Sequence, residues 1–238
     1  MSEERILIVD DDAALVGRLE ATLRQSGFVV YSARDGNAAL QAARAYQPHL
    51  VILDITLHSE EGNESGPRDG IEVLKQLRSS SDVYVLMLSG TNAEIVKVLA
   101  FRMGADDYMT KPFNADELVA RVQAILRRGR GERKESPSEL AFRHVRIDPG
   151  KRRVWCNDTL LQLTPLEYDL LHALASNPGR VLSREQLIDA AWRHSYAGNE
   201  RTVDVHIGRL RKKLEDAYAP DIITTVRGAG YCFEDEQR

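Results

Sequence analysis

Cysteine is scarce in this 238-residue chain: Cys156 and Cys232 are the only two, and they stand in no metal-ligand spacing. Neither a disulfide framework nor a cysteine-ligated metal site is expected from them. No apolar run approaches the roughly 20 residues of a membrane span. No signal peptide precedes the first strand-like segment, so the expected location is the cytoplasm. There is no large excess of charge of either sign; the net charge is -4, with 43% hydrophobic and 29% charged residues, the composition of a globular chain.

The length suits two domains of ordinary size. Residues 1–128 carry 14 Lys and Arg against 19 Asp and Glu, whereas residues 129–238 carry 18 against 17. An acidic first half and a mildly basic second half point to different partners. The second balance is too weak to argue nucleic-acid binding by itself.

What the chain does have is an apolar run, Ile6-Leu7-Ile8-Val9, that ends in Asp10-Asp11-Asp12. Three adjacent carboxylates repel one another unless a cation sits among them, and oxygen ligands suit a hard divalent ion such as Mg²⁺. A second run, Leu50-Val51-Ile52-Leu53, ends in Asp54. Strand candidates at 5–10, 28–32, 49–53, 83–88 and 106–109 alternate with helical patterns near 12–26, 36–46, 70–80, 92–103 and 114–128. Five such units imply a parallel sheet covered by helices on both faces. Ser89 and Lys111 also fall at strand ends, which places Asp10, Asp11, Asp54, Ser89 and Lys111 at the carboxyl edge of an open α/β sheet, where ligands bind.

Residues 129–138 lack apolar side chains and read as a flexible linker. Beyond them, strands are expected at 141–147, 152–156 and 159–163, with Asn157-Asp158 as a tight turn. Thr164-Pro165-Leu166-Glu167 has the form of a capping box, and Ser183-Arg184-Glu185-Gln186 repeats it. A third helix is expected from Glu200 to Glu215, followed by strands at 222–227 and 231–233 around Gly228-Ala229-Gly230. On that helix Val203, Ile207, Leu210 and Leu214 form an apolar stripe. Arg201, Val205, Arg209 and Lys212 fall on the opposite face, with Thr202 and His206 near its edge. Residues 201–213 hold five Lys and Arg and one acid, Asp204. A helix buried on one side and basic on the other can lie in the major groove.

The first half, over residues 3–128, resembles the receiver domain of two-component response regulators, in its acid pair, its Asp54, its hydroxyl at Ser89 and its Lys111-Pro112. The resemblance implies a flavodoxin-like fold in which Asp54 accepts a phosphoryl group from a histidine kinase. It implies Mg²⁺ bound by Asp11, Asp54 and the Thr56 carbonyl, with Asp10 assisting through water. Lys111 and Ser89 would hold the phosphoryl oxygens, and Lys111-Pro112 is expected to be cis. Ser89 and Tyr108 match the family's switch pair, Tyr108 turning inward as Ser89 is drawn to the phosphate. Lys97, Asp107, Glu117 and Arg121 stand where the family places ion pairs across a dimer. Arg102 and Gln123 depart from the family pattern there. The segment His58 to Arg68, with Glu60, Glu61 and Glu64, is an insertion between Asp54 and Asp69-Gly70, expected either to screen the site or to be a tolerated surface loop.

The second half, over about 139–235, resembles the winged helix-turn-helix effector of OmpR/PhoB-type regulators. Leu163–Tyr168, Arg201–Ile207 and Val226–Tyr231 carry that resemblance. It implies that Val205, His206 and Arg209 face base edges of double-stranded DNA, with Arg201, Thr202 and Arg211 nearer phosphates and Arg227 in the minor groove. Tandem or palindromic half-sites would suit a homodimer. Gly208 replaces a basic residue frequent in relatives. The loop Arg193–Asn199 lies where the family touches RNA polymerase. The leading expectation is a transcriptional regulator switched by phosphorylation of Asp54, with domains at 1–128 and 139–238, and not an enzyme. The rivals are a phosphate-independent regulator and a Mg²⁺-dependent aspartyl-phosphate phosphatase. The phosphatase would need a second Asp where Thr56 stands.

Overall fold

The computed structural model describes residues 4–57, 66–129, 139–192, 200–219 and 221–236. The chain divides into two compact units, Met1–Arg127 and Arg128–Arg238. Of the expected linker 129–138, Gly129 ends α5 and residues 130–138 lie outside the described residues, as do residues 58–65 of the insertion His58 to Arg68.

The first unit runs β1 (Arg5–Val9), α1 (Ala13–Gln25), β2 (Val29–Ala33), α2 (Gly36–Tyr46), β3 (Leu50–Asp54), α3 (Gly70–Arg78), β4 (Tyr84–Ser89), α4 (Glu94–Met103), β5 (Asp107–Thr110) and α5 (Ala115–Gly129). The strands pair in parallel in the order β2-β1-β3-β4-β5. The chain leaves β1 towards β2 on one side and returns to β3 on the other. The order therefore reverses between β1 and β3, the place where such sheets open a crevice. Central strands β1, β3 and β4 are buried almost throughout, which is why they read as unbroken apolar runs. Leu19 and Leu23 of α1 and Leu118, Val122 and Ile125 of α5 cover one face of the sheet. Asp12, Asp35 and Asp69 cap α1, α2 and α3 by accepting backbone N–H groups in the first turn.

Gly70 fixes the approach of α3 to β3. A Cβ at Gly70 would lie 1.9 Å from the Asp54 carbonyl oxygen. Its own N–H donates to the Ile55 carbonyl at 3.0 Å. Only a residue without a side chain lets the helix start this close to the Asp54 backbone.

The second unit opens with an antiparallel sheet of β6 (Leu140–Ala141), β7 (Val145–Asp148), β8 (Arg153–Cys156) and β9 (Thr159–Leu160). The single strand expected over 141–147 is thus two. The Phe142 N–H donates to the Val145 carbonyl at 2.8 Å and turns the chain, while the Phe142 ring packs edge-on to Phe233. Asn157 and Asp158 join β8 to β9 with φ of 44° and 65°, the left-handed pair of a tight hairpin turn.

Helices α6 (Pro165–Ala175), α7 (Arg184–Trp192) and α8 (Arg201–Asp216) follow, then the hairpin β10 (Ile223–Val226) and β11 (Gly230–Phe233). Thr164 and Glu167 exchange hydrogen bonds at the start of α6, and Ser183 and Gln186 do the same at the start of α7. Gly230, at φ 147°, abuts Leu182, whose carbonyl oxygen a Cβ would meet at 2.0 Å. Leu182 and Tyr231 form a bridge there, so the hairpin is stitched to the segment before α7. The three helices and both sheets share one core around Trp192, Ile207, Leu210 and Phe233.

Candidate phosphoryl site and nucleic-acid interface

β1 and β3, adjacent at the sheet's reversal, deliver Asp10, Asp11 and Asp54 to one place. Each offers a carboxylate oxygen, and these atoms lie within 4.8 Å of one another. β5 ends one residue before Lys111, whose ammonium donates to Asp10 Oδ2 at 2.7 Å and to Asp54 Oδ2 at 3.0 Å. The Lys111–Pro112 bond is cis. Asp10 is fully buried and Asp54 is 4% exposed. Burial raises the Asp10 carboxyl above the usual range, against the opposing pull of the Lys111 hydrogen bond. Burial also pulls the Lys111 ammonium down, but its hydrogen bonds to Asp10 and Asp54 and their charges outweigh this and raise it. Asp12 turns away to cap α1. The Leu15 N–H, chief among its bonds, holds its carboxyl below the ordinary value.

Lys111 occupies one Asp54 oxygen. The other, Oδ1, is buried and accepts no hydrogen bond among the described residues. A buried carboxylate oxygen left bare is costly, and here it lies in an all-oxygen cluster suited to a hard divalent cation. The residues present therefore fit such an ion. Thr56, two residues on, is exposed.

Ser89 ends β4 and is 1% exposed. Its hydroxyl oxygen accepts the Thr91 N–H at 3.2 Å, and its carbonyl accepts the Lys111 N–H at 2.7 Å. Tyr108, on β5 beside it, has its ring inside and its hydroxyl donating to the Thr91 carbonyl at 2.9 Å. The β4–α4 turn is thus held by both switch candidates, a link through Thr91 that no sequence pattern announces. Asp107, Glu117 and Arg121 do meet, but within one chain. Arg121 Nη1 is 3.2 Å from Asp107 Oδ2 and its Nη2 is 2.9 Å from Glu117 Oε1. Lys97 is half-buried on α4, and Arg102 and Gln123 are exposed.

In the second unit the apolar stripe of α8 is as expected: Val203, Ile207, Leu210 and Leu214 are buried. The stripe is wider than expected, however. Thr202 is buried, and His206 is fully buried with its ring edge-on to Trp192 at 6.0 Å between centroids. The structure therefore places neither with the exposed face; His206, one position before Ile207, packs against Trp192 of α7 rather than outward. Val205, Gly208, Arg209 and Lys212 make up the open edge of the helix, at the i, i+3, i+4, i+7 spacing of one face. The Arg201 side chain and the loop Arg193–Asn199 lie outside the described residues.

Two of the basic residues assigned to DNA have partners inside the unit. Arg211 Nε donates to the Ile223 carbonyl at 2.8 Å and its Nη2 to Thr225 Oγ1 at 2.8 Å, which ties α8 to the hairpin. Arg209 Nε lies 3.3 Å from Glu167 Oε1. Asp204, the lone acid of the segment, accepts from Arg184 Nε at 2.7 Å and from the Tyr231 hydroxyl at 2.6 Å. Burial, first, and the Asp204 bond push the Tyr231 hydroxyl up to about 12, so it stays a donor. Arg227 is exposed at the tip of the β10–β11 hairpin. The residues that sequence reasoning missed, Glu167, Arg184 and Tyr231, act through contacts 20 or more positions apart in the chain. Their one local signal is that Asp204 is an acid among cations.

A model of the response regulator receiver domain matches residues 6–123, and a model of the C-terminal domain of transcriptional regulatory proteins matches residues 158–233. The chain is 41% identical over 242 residues to the alkaline phosphatase synthesis transcriptional regulatory protein PhoP of Bacillus subtilis, covering 98% of this chain and 97% of that one. It is 42% identical over 230 residues to the DNA-binding response regulator MtrA of Mycobacterium tuberculosis, covering 96% of each. Among solved structures, a cysteine-to-serine mutant of RitR aligns with a TM-score of 0.77 at 28% identity, over 97% of this chain and 98% of that one. DrrB, an OmpR/PhoB homolog of Thermotoga maritima, is 30% identical over 98% and 99% of the two chains, with a TM-score of 0.50. With both domain types present in order, and with these relatives matching nearly end to end, the chain belongs to the OmpR/PhoB-type response regulators, transcriptional regulators that join a receiver domain to a DNA-binding domain.

Proposed function

We propose that Asp54 accepts a phosphoryl group from a sensor histidine kinase and that the modification promotes dimerisation and DNA binding. The observation that carries this reading is the unequal state of the two Asp54 oxygens. Oδ2 is held by Lys111, while Oδ1 is buried and bare beside Asp10 and Asp11. An Asp54 oxygen attacks the phosphorus, a P–O bond forms, and the P–N bond to the kinase imidazole breaks with its electron pair going to nitrogen. Lys111 balances charge on the phosphoryl oxygens as they approach, and the Ser89 hydroxyl donates to one of them. Mg²⁺, held by Asp11, Asp54 and the Thr56 carbonyl with Asp10 behind them, would neutralise the remaining negative charge. Thr56 offers no carboxyl as general acid or base, which argues against turnover on a separate substrate.

Ser89 and Tyr108 carry the change to the α4–β5–α5 face through the Thr91 turn. Ile95 and Leu99 stand exposed on α4 of that face, one helical turn apart. With Lys97, Asp107, Glu117 and Arg121 they form the dimer surface in this reading. Each exposed ion pair contributes little, so the charges set register more than affinity. Val205, Arg209 and Lys212 face the major groove, Arg201 approaches phosphates, and Arg227 enters the minor groove. Thr202, His206 and Arg211 shape the helix and its neighbours instead. Two recognition helices on a dimer suit tandem or palindromic half-sites. RNA polymerase, through the 193–199 loop, belongs to the same reading.

Light-scattering mass with Mg²⁺ and beryllofluoride, which mimics the phosphoryl group, tests the switch. A monomer-to-dimer shift that is absent in Asp54→Ala is expected. An unchanged wild-type mass would remove dimerisation from the mechanism.

A further inference from the structure

Glu167 is fully buried, yet the capping of α6 does not need a carboxyl group. The second capping box of the same unit does the identical work at α7 with a neutral amide, Gln186. The Glu167 carboxylate meets α8 instead. Its Oε2, which accepts the Thr164 N–H at 2.9 Å, also accepts from Lys213 Nζ at 2.6 Å. Its Oε1 has Arg209 Nε at 3.3 Å, an ion pair by distance without a hydrogen bond. Arg209 and Lys213 stand one helical turn apart, so a single carboxylate faces cations on two successive turns of the helix that offers Val205, Gly208, Arg209 and Lys212 to the outside.

We infer that Glu167 is a specificity-determining residue of the DNA interface, a buried anion that positions α8 and holds back two of its cations from indiscriminate phosphate contact. The inference rests on the reading of α8 as the DNA-facing helix. Both cations keep part of their side chains in solvent, 22% for Arg209 and 31% for Lys213, so each stands at the boundary between the carboxylate and a bound duplex. Paired to Glu167, Arg209 is presented in one place, which favours base reading. Lys213 is withdrawn from the phosphate backbone. Charge held in this way trades sequence-independent attraction for discrimination, because phosphate contacts carry affinity but no sequence information.

The test is Glu167→Gln in the full chain. Glutamine preserves the volume and an acceptor for the Thr164 N–H. Two duplexes serve as probes, one selected by the wild type from a random-sequence pool and one a scramble of equal length. Binding to each is measured across a salt series. Releasing two cations should tighten binding to the scramble, steepen the slope of log K against log salt by about one to two, and lower the selected-to-scrambled ratio at least tenfold. A purely structural role would weaken both duplexes together and leave the slope alone. Should Glu167→Gln fail to fold, the charge-balanced Glu167→Gln/Lys213→Gln variant decides, with a slope steeper by about one and a ratio still reduced. An unchanged ratio and slope in the folded variant overturns the inference. If the wild type itself selects no duplex, the DNA-facing reading of α8 fails first, and that outcome is distinct.

Discussion

The Tyr108 hydroxyl donates to the Thr91 carbonyl at 2.9 Å, and the Thr91 N–H donates to the Ser89 hydroxyl oxygen at 3.2 Å. One backbone unit therefore serves both switch candidates. Tyr108→Phe keeps the ring and deletes only the hydroxyl bond. It should destabilise the receiver by about 1 kcal/mol. Trp155 and Trp192, the only tryptophans, both lie in the second unit, so far-UV circular dichroism is the suitable probe of the receiver transition. An unchanged urea midpoint would show that the Thr91 bond contributes nothing.

Gly70 has no room for a methyl group against the Asp54 carbonyl. Gly70→Ala should cost about 3 kcal/mol through overpacking and displace Asp54 relative to Lys111. Asp54 labelling by a small acyl-phosphate donor should fall with it. A variant as stable and as readily labelled as the wild type would show that α3 can retreat freely.

On α8 the neighbours Arg211 and Lys212 should behave oppositely. Lys212 is exposed on the open edge, whereas Arg211 is bonded to Ile223 and Thr225. Lys212→Ala should leave stability unchanged, weaken all duplexes alike, and reduce the salt slope by about 1. Arg211→Ala should destabilise the second unit by about 1.5 kcal/mol, seen by tryptophan fluorescence. Equal stability of the two variants would contradict the structural role of Arg211.

His172 gives the second unit a pH dependence. Burial, with Arg152 adding its charge, pushes the imidazole below its ordinary value of 6.5, and the ring stacks on Tyr168 at 5.8 Å. The unfolded chain then takes up a proton near 6.5 that the folded chain accepts only at lower pH. Stability is fully present above 6.5 and declines as pH falls below it towards the folded value. His172→Gln should flatten this part of the stability profile. A variant with the wild-type slope would assign the dependence to another group.

Much of this was legible in the sequence because strand ends announce themselves. The runs 6–9 and 50–53 are buried on both faces, so their apolar character is continuous and the acids that follow must sit at the sheet edge. The expected helix at 36–46 matches α2 because Asp35 caps its start. What local pattern could not give was the inward turn of His206. Its position beside the Ile207 stripe is a border position, and Trp192, on another helix, packs against it. The internal use of Arg209, Arg211 and Lys213 was hidden for the same reason, since a cation's partner across the fold leaves no spacing signal.

The central claim is that Asp54 is the group that accepts phosphate, and intact-mass spectrometry tests it most directly. The wild-type chain is incubated with Mg²⁺ and a small acyl-phosphate donor, beside Asp54→Ala and a sample with the ion chelated. One phosphoryl adduct on the wild type, lost in both controls, is the predicted result. An adduct that persists in Asp54→Ala, or none on the wild type, would contradict the account.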